Sequence, residues 1–285
     1  MKNMLVPVDY SEAAKNALYY AVGFARQIGA DKIILYNAFQ PPVPADTMSI
    51  TTDGNFNTLG LYDMESITDG NKVHLERLKQ EIKEAYNSDI AVETISEFNM
   101  LSEGVAAICQ SQNIALIVMG ISEAGGLTET LVGSNSLDVA KHVTTPVIIV
   151  PHNATYQPIQ QILFTCDYKN VTATVPVTLL KNTLSATGAH LHILHVDADT
   201  ETNEHLQQAA VLKGLLQDVP ADYYSIQHND FKEAVNTFAT QHNIDLIIAI
   251  PKKHGFFEGL FHHSHTKALA FHSSIPLLLI HEEEV

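Results

Sequence analysis

The stretch "MGISEAGGLTETLVGSNS", Met119 to Ser136, holds the residues whose types and spacing best suit chemistry in this chain. It follows the apolar run "IALIV" and precedes "LDVAKHVTTPVIIV", so it joins a strand to a helix. Gly120 ends the strand, where a missing side chain lets backbone approach a ligand. Gly133 comes 13 residues later, directly before Ser134, Asn135 and Ser136, which open the helix. Unpaired N–H groups and the helix dipole at such a start favour an anion by roughly 0.3–1 kcal/mol, and serine hydroxyls add hydrogen bonds. Phosphate binding is the chemistry on offer. The same residues also suit a plain turn, in which Ser134 or Ser136 N-caps the helix and Gly133 ends the segment before it. Spacing alone leaves both readings open.

Patterns for catalysis are missing. No GxxxxGK[ST] run is present, so the phosphate lysine and adjacent hydroxyl of a P-loop are absent. There is no G-x-S-x-G elbow, and no Ser/His/Asp set can be fixed; Glu282 to Glu284 read as a solvated tail. A binding module is expected rather than an enzyme.

The elements that must position these residues alternate between β-branched runs and helical periodicity. "MLVPV" reads as a strand. Ser11 is an N-cap, Ala13, Ala14, Ala17, Leu18, Ala21, Val22 and Ala25 share one helical face, and Gly29 is the stop. A strand follows from Ile33, a helix around Val73–Tyr86, a strand around Ile90–Phe98, a helix after a Ser102 cap, the strand Ile114–Met119, a helix from about Leu137 to Val143, and "VIIV". Continuous apolar strands such as "ALIVM" and "LIIAI" suit a parallel sheet covered on both faces. The expected fold is therefore α/β and doubly wound.

Internal similarity places this pattern twice in the chain. An offset of 158 sets Asp9 on Asp167, Tyr10 on Tyr168 and "IILYNA" on "LHILHV"; an offset of 130 sets "NIALIVMG" on "NIDLIIAI", Ser134 on Ser264 and Pro146 on Pro276. The second copy is shorter by the difference, 28 residues, and the surplus falls in "QPPVPADTMSITTDGNFNTLG", a loop suited to a free excursion, a lid or a dimer contact. Two tandem domains are expected, over residues 1–152 and 158–285, joined by "PHNATYQP".

Composition narrows the setting. The chain has 285 residues, 46% of them hydrophobic, enough for a large core. No apolar run approaches the roughly 18 residues of a membrane span, and the apolar start meets Asp9 too soon for a signal-peptide core. A cytoplasmic protein is expected. The formal net charge of −16 argues against nucleic acid as a main partner, while a local pocket can still hold a small anion. Cys109 and Cys166 lie in apolar surroundings without metal or redox spacing and read as buried thiols.

With "MLVPVDYSEAAKNAL", "LIVMG", "LVGSNS" and "TPVIIVP" in sequence, the chain resembles the universal stress protein family in its tandem two-domain form. The resemblance covers nearly all of both copies and implies a Rossmann-like, adenine nucleotide alpha hydrolase-like fold. The family's nucleotide-binding members carry G-x2-G-x9-G-[ST] after the fourth strand. Gly120, Gly133 and Ser134 match the first, third and last of these positions, and Glu123 occupies the second. A carboxylate there adds repulsion toward a triphosphate, and a non-glycine residue resists positive φ, unless Gly125 and Gly126 reshape the loop. The resemblance implies an adenine nucleotide, ATP or a relative, with or without magnesium. Pro7, Asp9 and Ala38 would meet the adenine and ribose end, and Met119, Gly120, Gly133, Ser134, Asn135 and Ser136 the phosphate end. Asp9 also suits a capping role together with Ser11. Slow ATP hydrolysis is the most that such a site implies in the way of catalysis. The alternative is an interaction scaffold in which both sites are degenerate. The resemblance further implies that Val147–Val150 and Leu277–Ile280 pair across the copies, and it leaves a homodimer open.

The second copy departs further, with Asp167 retained but Ile250, Lys253, His263 and Ser264 in the equivalent loop. Loss of nucleotide binding is expected there. Thirteen of the 15 histidines follow Pro151, and four lie in "HGFFEGLFHHSH". His262 and His265 with His254 or His272 invite a zinc reading or a pH-sensitive one, but no HExxH or Cys/His pattern supports a metal. These histidines read as surface groups. Phe256, Phe257, Leu260 and Phe261 beside them read as buried against a partner surface or the other domain.

Overall fold

The computed structural model describes residues 2–40, 64–86, 90–121, 134–198, 202–251 and 274–281. Outside them lie most of the long loop, Glu123, Gly125, Gly126, Gly133, Lys253 and the histidine- and phenylalanine-rich segment. The side chain of Ser134 is also outside.

The N-terminal half runs β1 (Asn3–Pro7), α1 (Glu12–Ile28), β2 (Lys32–Phe39), α2 (Met64–Tyr86), β3 (Ala91–Phe98), α3 (Leu101–Gln112), β4 (Ile114–Ile121), α4 (Ser134–His142) and β5 (Val147–Pro151). The C-terminal half repeats the order with β6 (Gln161–Thr165), α5 (Val171–Thr174), α6 (Val177–Thr187), β7 (His190–Asp197), α7 (Asn203–Leu215), β8 (Ala221–Gln227), α8 (Phe231–Gln241), β9 (Leu246–Ala249) and β10 (Leu277–Leu279). The strands form one ten-stranded sheet in the order β3-β2-β1-β4-β5-β10-β9-β6-β7-β8. All neighbours are parallel except β5 and β10, which pair antiparallel with Leu278 opposite Ile148.

Strand alternation decides the core. Met4, Val6, Ile33, Leu35, Ile148, Ile162 and Leu278 face one side with Leu18, Leu75, Leu180 and Leu212 of the helices above them. Leu5, Ile34, Ile149, Leu163, Leu277 and Leu279 face the other, against Val105, Val139 and Val235. Each fully buried aliphatic chain contributes about 1.5–3 kcal/mol, so helices on both faces are what such strands require. Each layer contains residues of both halves.

Local signals hold at α1. The Ser11 side chain accepts from the Ala14 N–H, and Gly29 closes the helix at φ 61. Tyr20 and Phe24 join the expected apolar face in the interior. The Ser102 cap is corrected: the cap is Met100, two residues earlier, and Ser102 lies buried in the first turn of α3. The Met100 carbonyl already accepts the Gly104 N–H, while Asn99 Oδ1 accepts the Met100 N–H. The helix before β3 begins at Met64, nine residues ahead of the expected Val73. Cys166 is buried and Cys109 half-buried; neither is in a disulfide, and burial pushes the Cys109 thiol up. Among the described residues no helix is long and apolar enough to cross a membrane.

Candidate functional site

The chain leaves β1 toward β2 on one side, and β4 lies on the other. Such a reversal opens a crevice at the carboxyl ends of β1 and β4, the usual place for a ligand in an open α/β sheet. The expected site residues that lie among the described ones gather around it. Pro7 is the last residue of β1 and is paired with Tyr36; Asp9 follows, exposed; Ala38 lies near the end of β2, half-buried. Met119 and Gly120 lie near the end of β4, and Asn135 and Ser136 in the first turn of α4.

Packing explains the backbone here. A Cβ on Gly120 would meet the Ala13 carbonyl oxygen at 2.1 Å and the Ala14 nitrogen at 3.1 Å. The missing side chain thus admits the first turn of α1 against β4, which differs from the expected approach of a ligand. From the opposite face Ser136, 3% exposed, donates its hydroxyl hydrogen to the Gly120 carbonyl at 2.8 Å. The N-termini of α1 and α4 therefore flank the end of β4 from both sides. Their partial positive charges favour an anion between them.

Asp9 Oδ1 accepts from the Ser11 N–H at 3.0 Å and from the Ser11 hydroxyl. The carboxylate thus supports the N-cap of α1, as the alternative reading of this residue has it, and remains exposed at the crevice. Tyr10 turns the chain at φ 65. Its hydroxyl donates to the Asn71 carbonyl at 3.1 Å, and its ring lies 5.2 Å from that of His74. Burial pushes the Tyr10 hydroxyl up to about 12. Asn37, buried, donates to the Val8 carbonyl at 2.9 Å and pins the end of β1 to β2. Sequence reasoning missed Tyr10 and Asn37; an aromatic after the strand-end aspartate and a polar residue inside "IILYNA" were the only signals. Met119 is buried in the core, so its side chain packs there and only its backbone lies along the crevice. Lys15, on α1, pairs with Glu81 at 3.2 Å on the side toward α2.

The C-terminal half repeats the β1 turn. Asp167 Oδ1 accepts the Lys169 N–H at 3.1 Å, Tyr168 has φ 52, and the Cys166 N–H bonds the Leu194 carbonyl as the Val8 N–H bonds that of Tyr36. Beyond the turn the likeness ends. Ile250 stands where Gly120 does and packs on the core, and the helix is broken into α5 and α6 at Pro176. A proline inside a helix removes a donor and clashes with the preceding turn.

Residues 1–151 match the model of the universal stress protein family. The universal stress protein MJ0577 of Methanocaldococcus jannaschii is 24% identical over 156 residues, covering 52% of this chain and 94% of that protein. A universal stress protein from Archaeoglobus fulgidus superposes with a TM-score of 0.70 at 19% identity, covering 99% of this chain and 98% of that one. The functionally unknown protein PA1789 from Pseudomonas aeruginosa reaches 0.61 at 11% identity, covering 99% and 93%. These two superpositions speak for the fold, and the family match extends over more than half of the chain. The chain belongs to the universal stress protein family.

Proposed function

We propose that the N-terminal half binds an adenine nucleotide, ATP in the first instance, at the carboxyl ends of β1 and β4, and that occupancy changes the protein's contacts during a stress response. The observation that carries this reading is the strand order, which opens a crevice with two helix N-termini meeting at Gly120. The donor set suits a phosphate group, since the first-turn N–H groups of α4 and the exposed Asn135 lie at its edge. Asp9 and Ala38 flank the opposite end, where a carboxylate can accept from ribose hydroxyls. Gly133 and Ser134 belong to the same reading through the family motif. Chain organisation as tandem domains 1–152 and 158–285 is part of it, with Ile250 and the broken helix arguing for a C-terminal half without nucleotide.

One set of observations favours a second reading, an interaction scaffold that binds no nucleotide. Asp9 supports a cap, Ser136 donates to Gly120, and α1 occupies the space at Gly120, so each has a complete structural role. Calorimetric titration of nucleotide-free protein with ATP, with and without magnesium, separates the two. The first reading expects saturable one-site binding, weakened at least tenfold in Asp9→Ala and in Gly133→Asp variants that melt as the parent does. Absence of binding up to millimolar ATP overturns the first reading and leaves the scaffold standing.

A further inference from the structure

Three ligand atoms converge at the carboxyl end of β7, away from the crevice of the N-terminal half. His195 and Asp197 are two apart on one strand and so project from the same face. His205 comes from the first turn of α7, whose cap Thr202 accepts the His205 N–H at 3.2 Å. Asp197 Oδ2 lies 3.6 Å from His205 Nδ1 and 3.9 Å from His195 Nε2, and the three atoms all lie within 4.8 Å of one another.

The hydrogen bonding settles which nitrogen is available. His195 is 2% exposed, and its Nδ1 lies 2.9 Å from the Cys166 carbonyl oxygen. A carbonyl only accepts, so Nδ1 carries the proton and Nε2 presents a lone pair toward Asp197 and His205. Nε2 of His195 and Nδ1 of His205 are both buried without a hydrogen-bond partner among the described residues. Leaving such an atom unsatisfied carries the full desolvation penalty of the group. Two unsatisfied ring nitrogens beside one carboxylate call for a shared electrophile.

We propose that His195, Asp197 and His205 bind a divalent transition metal, zinc being the best match. Two imidazoles and a carboxylate are zinc's ligand chemistry, whereas calcium and magnesium prefer oxygen alone. Tetrahedral bonds of about 2.0–2.1 Å separate ligand atoms by about 3.3–3.4 Å. The separations of 3.6 and 3.9 Å close to that range by small side-chain rotations. The Cys166 carbonyl acts as the outer partner that orients a liganding imidazole. Asp197, with 34% of its side chain exposed, opens the site to solvent, and three protein ligands leave a fourth position for water or an anion. The matching positions of the N-terminal half lack these ligands: Asn37 makes the same bond to a backbone carbonyl, and Phe39 stands for Asp197. In the other histidine group His190 Nε2 bonds Asp222 and His192 Nε2 bonds Gln161, each at 2.9 Å, which leaves His192 Nδ1 as its one buried ring nitrogen without a partner among the described residues, against two at His195 and His205.

The test is titration of the metal-free full-length chain with Co2+, followed by its visible absorption, and competition by Zn2+. One equivalent should bind with the intense bands of a four-coordinate site. His205→Ala, on the solvent side, and His195→Asn, which mimics Asn37, should each weaken binding at least tenfold and remove the rise in Tm that zinc confers on the parent. Far-UV circular dichroism of the metal-free variants establishes that they fold; if His195→Asn does not, His205→Ala decides alone. His190→Gln, and a variant with His254, His262, His263 and His265 all changed to Gln, should bind as the parent does. Absence of binding overturns the proposal, as does binding that survives His205→Ala or disappears with either control.

Discussion

Gly120 shows how one residue carries both the fold and the candidate site. Its hydrogen is all that separates β4 from the Ala13 carbonyl, so Gly120→Ala forces the start of α1 outward. Backbone cannot yield as a side-chain tip does, and a loss of about 1–3 kcal/mol is expected from the overpacking. Urea denaturation measures it, and a stability within 0.5 kcal/mol of the parent, on the order of the usual surface substitution, contradicts the packing. Residue-scale signals of local origin were legible: Ser11 and Gly29 cap α1 through bonds to their own helix, so neighbours in sequence suffice to find them. Asn37 and His195 were not, because the carbonyls they bond lie 29 residues away, just past the end of another strand.

At the scale of elements, α1 is held by more than its apolar stripe. Gln27 donates to the Ile159 and Thr187 carbonyls at 2.8 and 2.9 Å and accepts from the Tyr156 hydroxyl and the Ile159 N–H. Asn16 donates to the Pro151 and Ala154 carbonyls. The segment "PHNATYQP", a polar connector by composition, is thereby strapped along α1, and the Tyr156 ring fills the space above Gly23. Gln27→Ala leaves several part-buried partners unsatisfied and should cost about 1–3 kcal/mol, read as a lower urea midpoint with an unchanged slope. A shallower slope instead points to separate unfolding of the two halves. Periodicity had placed Ala14, Ala17, Leu18, Ala21, Val22 and Ala25 in the core but missed Tyr20 and Phe24, since the side of the helix that Tyr156 covers is apolar only through a distant part of the chain.

For the whole molecule, the seam between β5 and β10 makes one sheet of ten strands and two layers of core shared by both halves. Residues 1–151 expressed alone lose the partner of β5, and an uncovered apolar edge invites pairing with another copy. That fragment should elute as a dimer or larger in size-exclusion chromatography; a soluble monomer refutes the need for the seam. The alternation of strand and helix, the apolar runs of a covered sheet, the strand-end aspartates and the glycine at the end of β4 were determined by the sequence, because each is written in residues adjacent or one helical turn apart. The tertiary structure alone decided what occupies the space at Gly120, which carbonyl receives Ser136, how the connector lies, and that His195, Asp197 and His205 meet. Those are contacts between elements, set by how the faces of the sheet are covered, and no spacing along the chain records them.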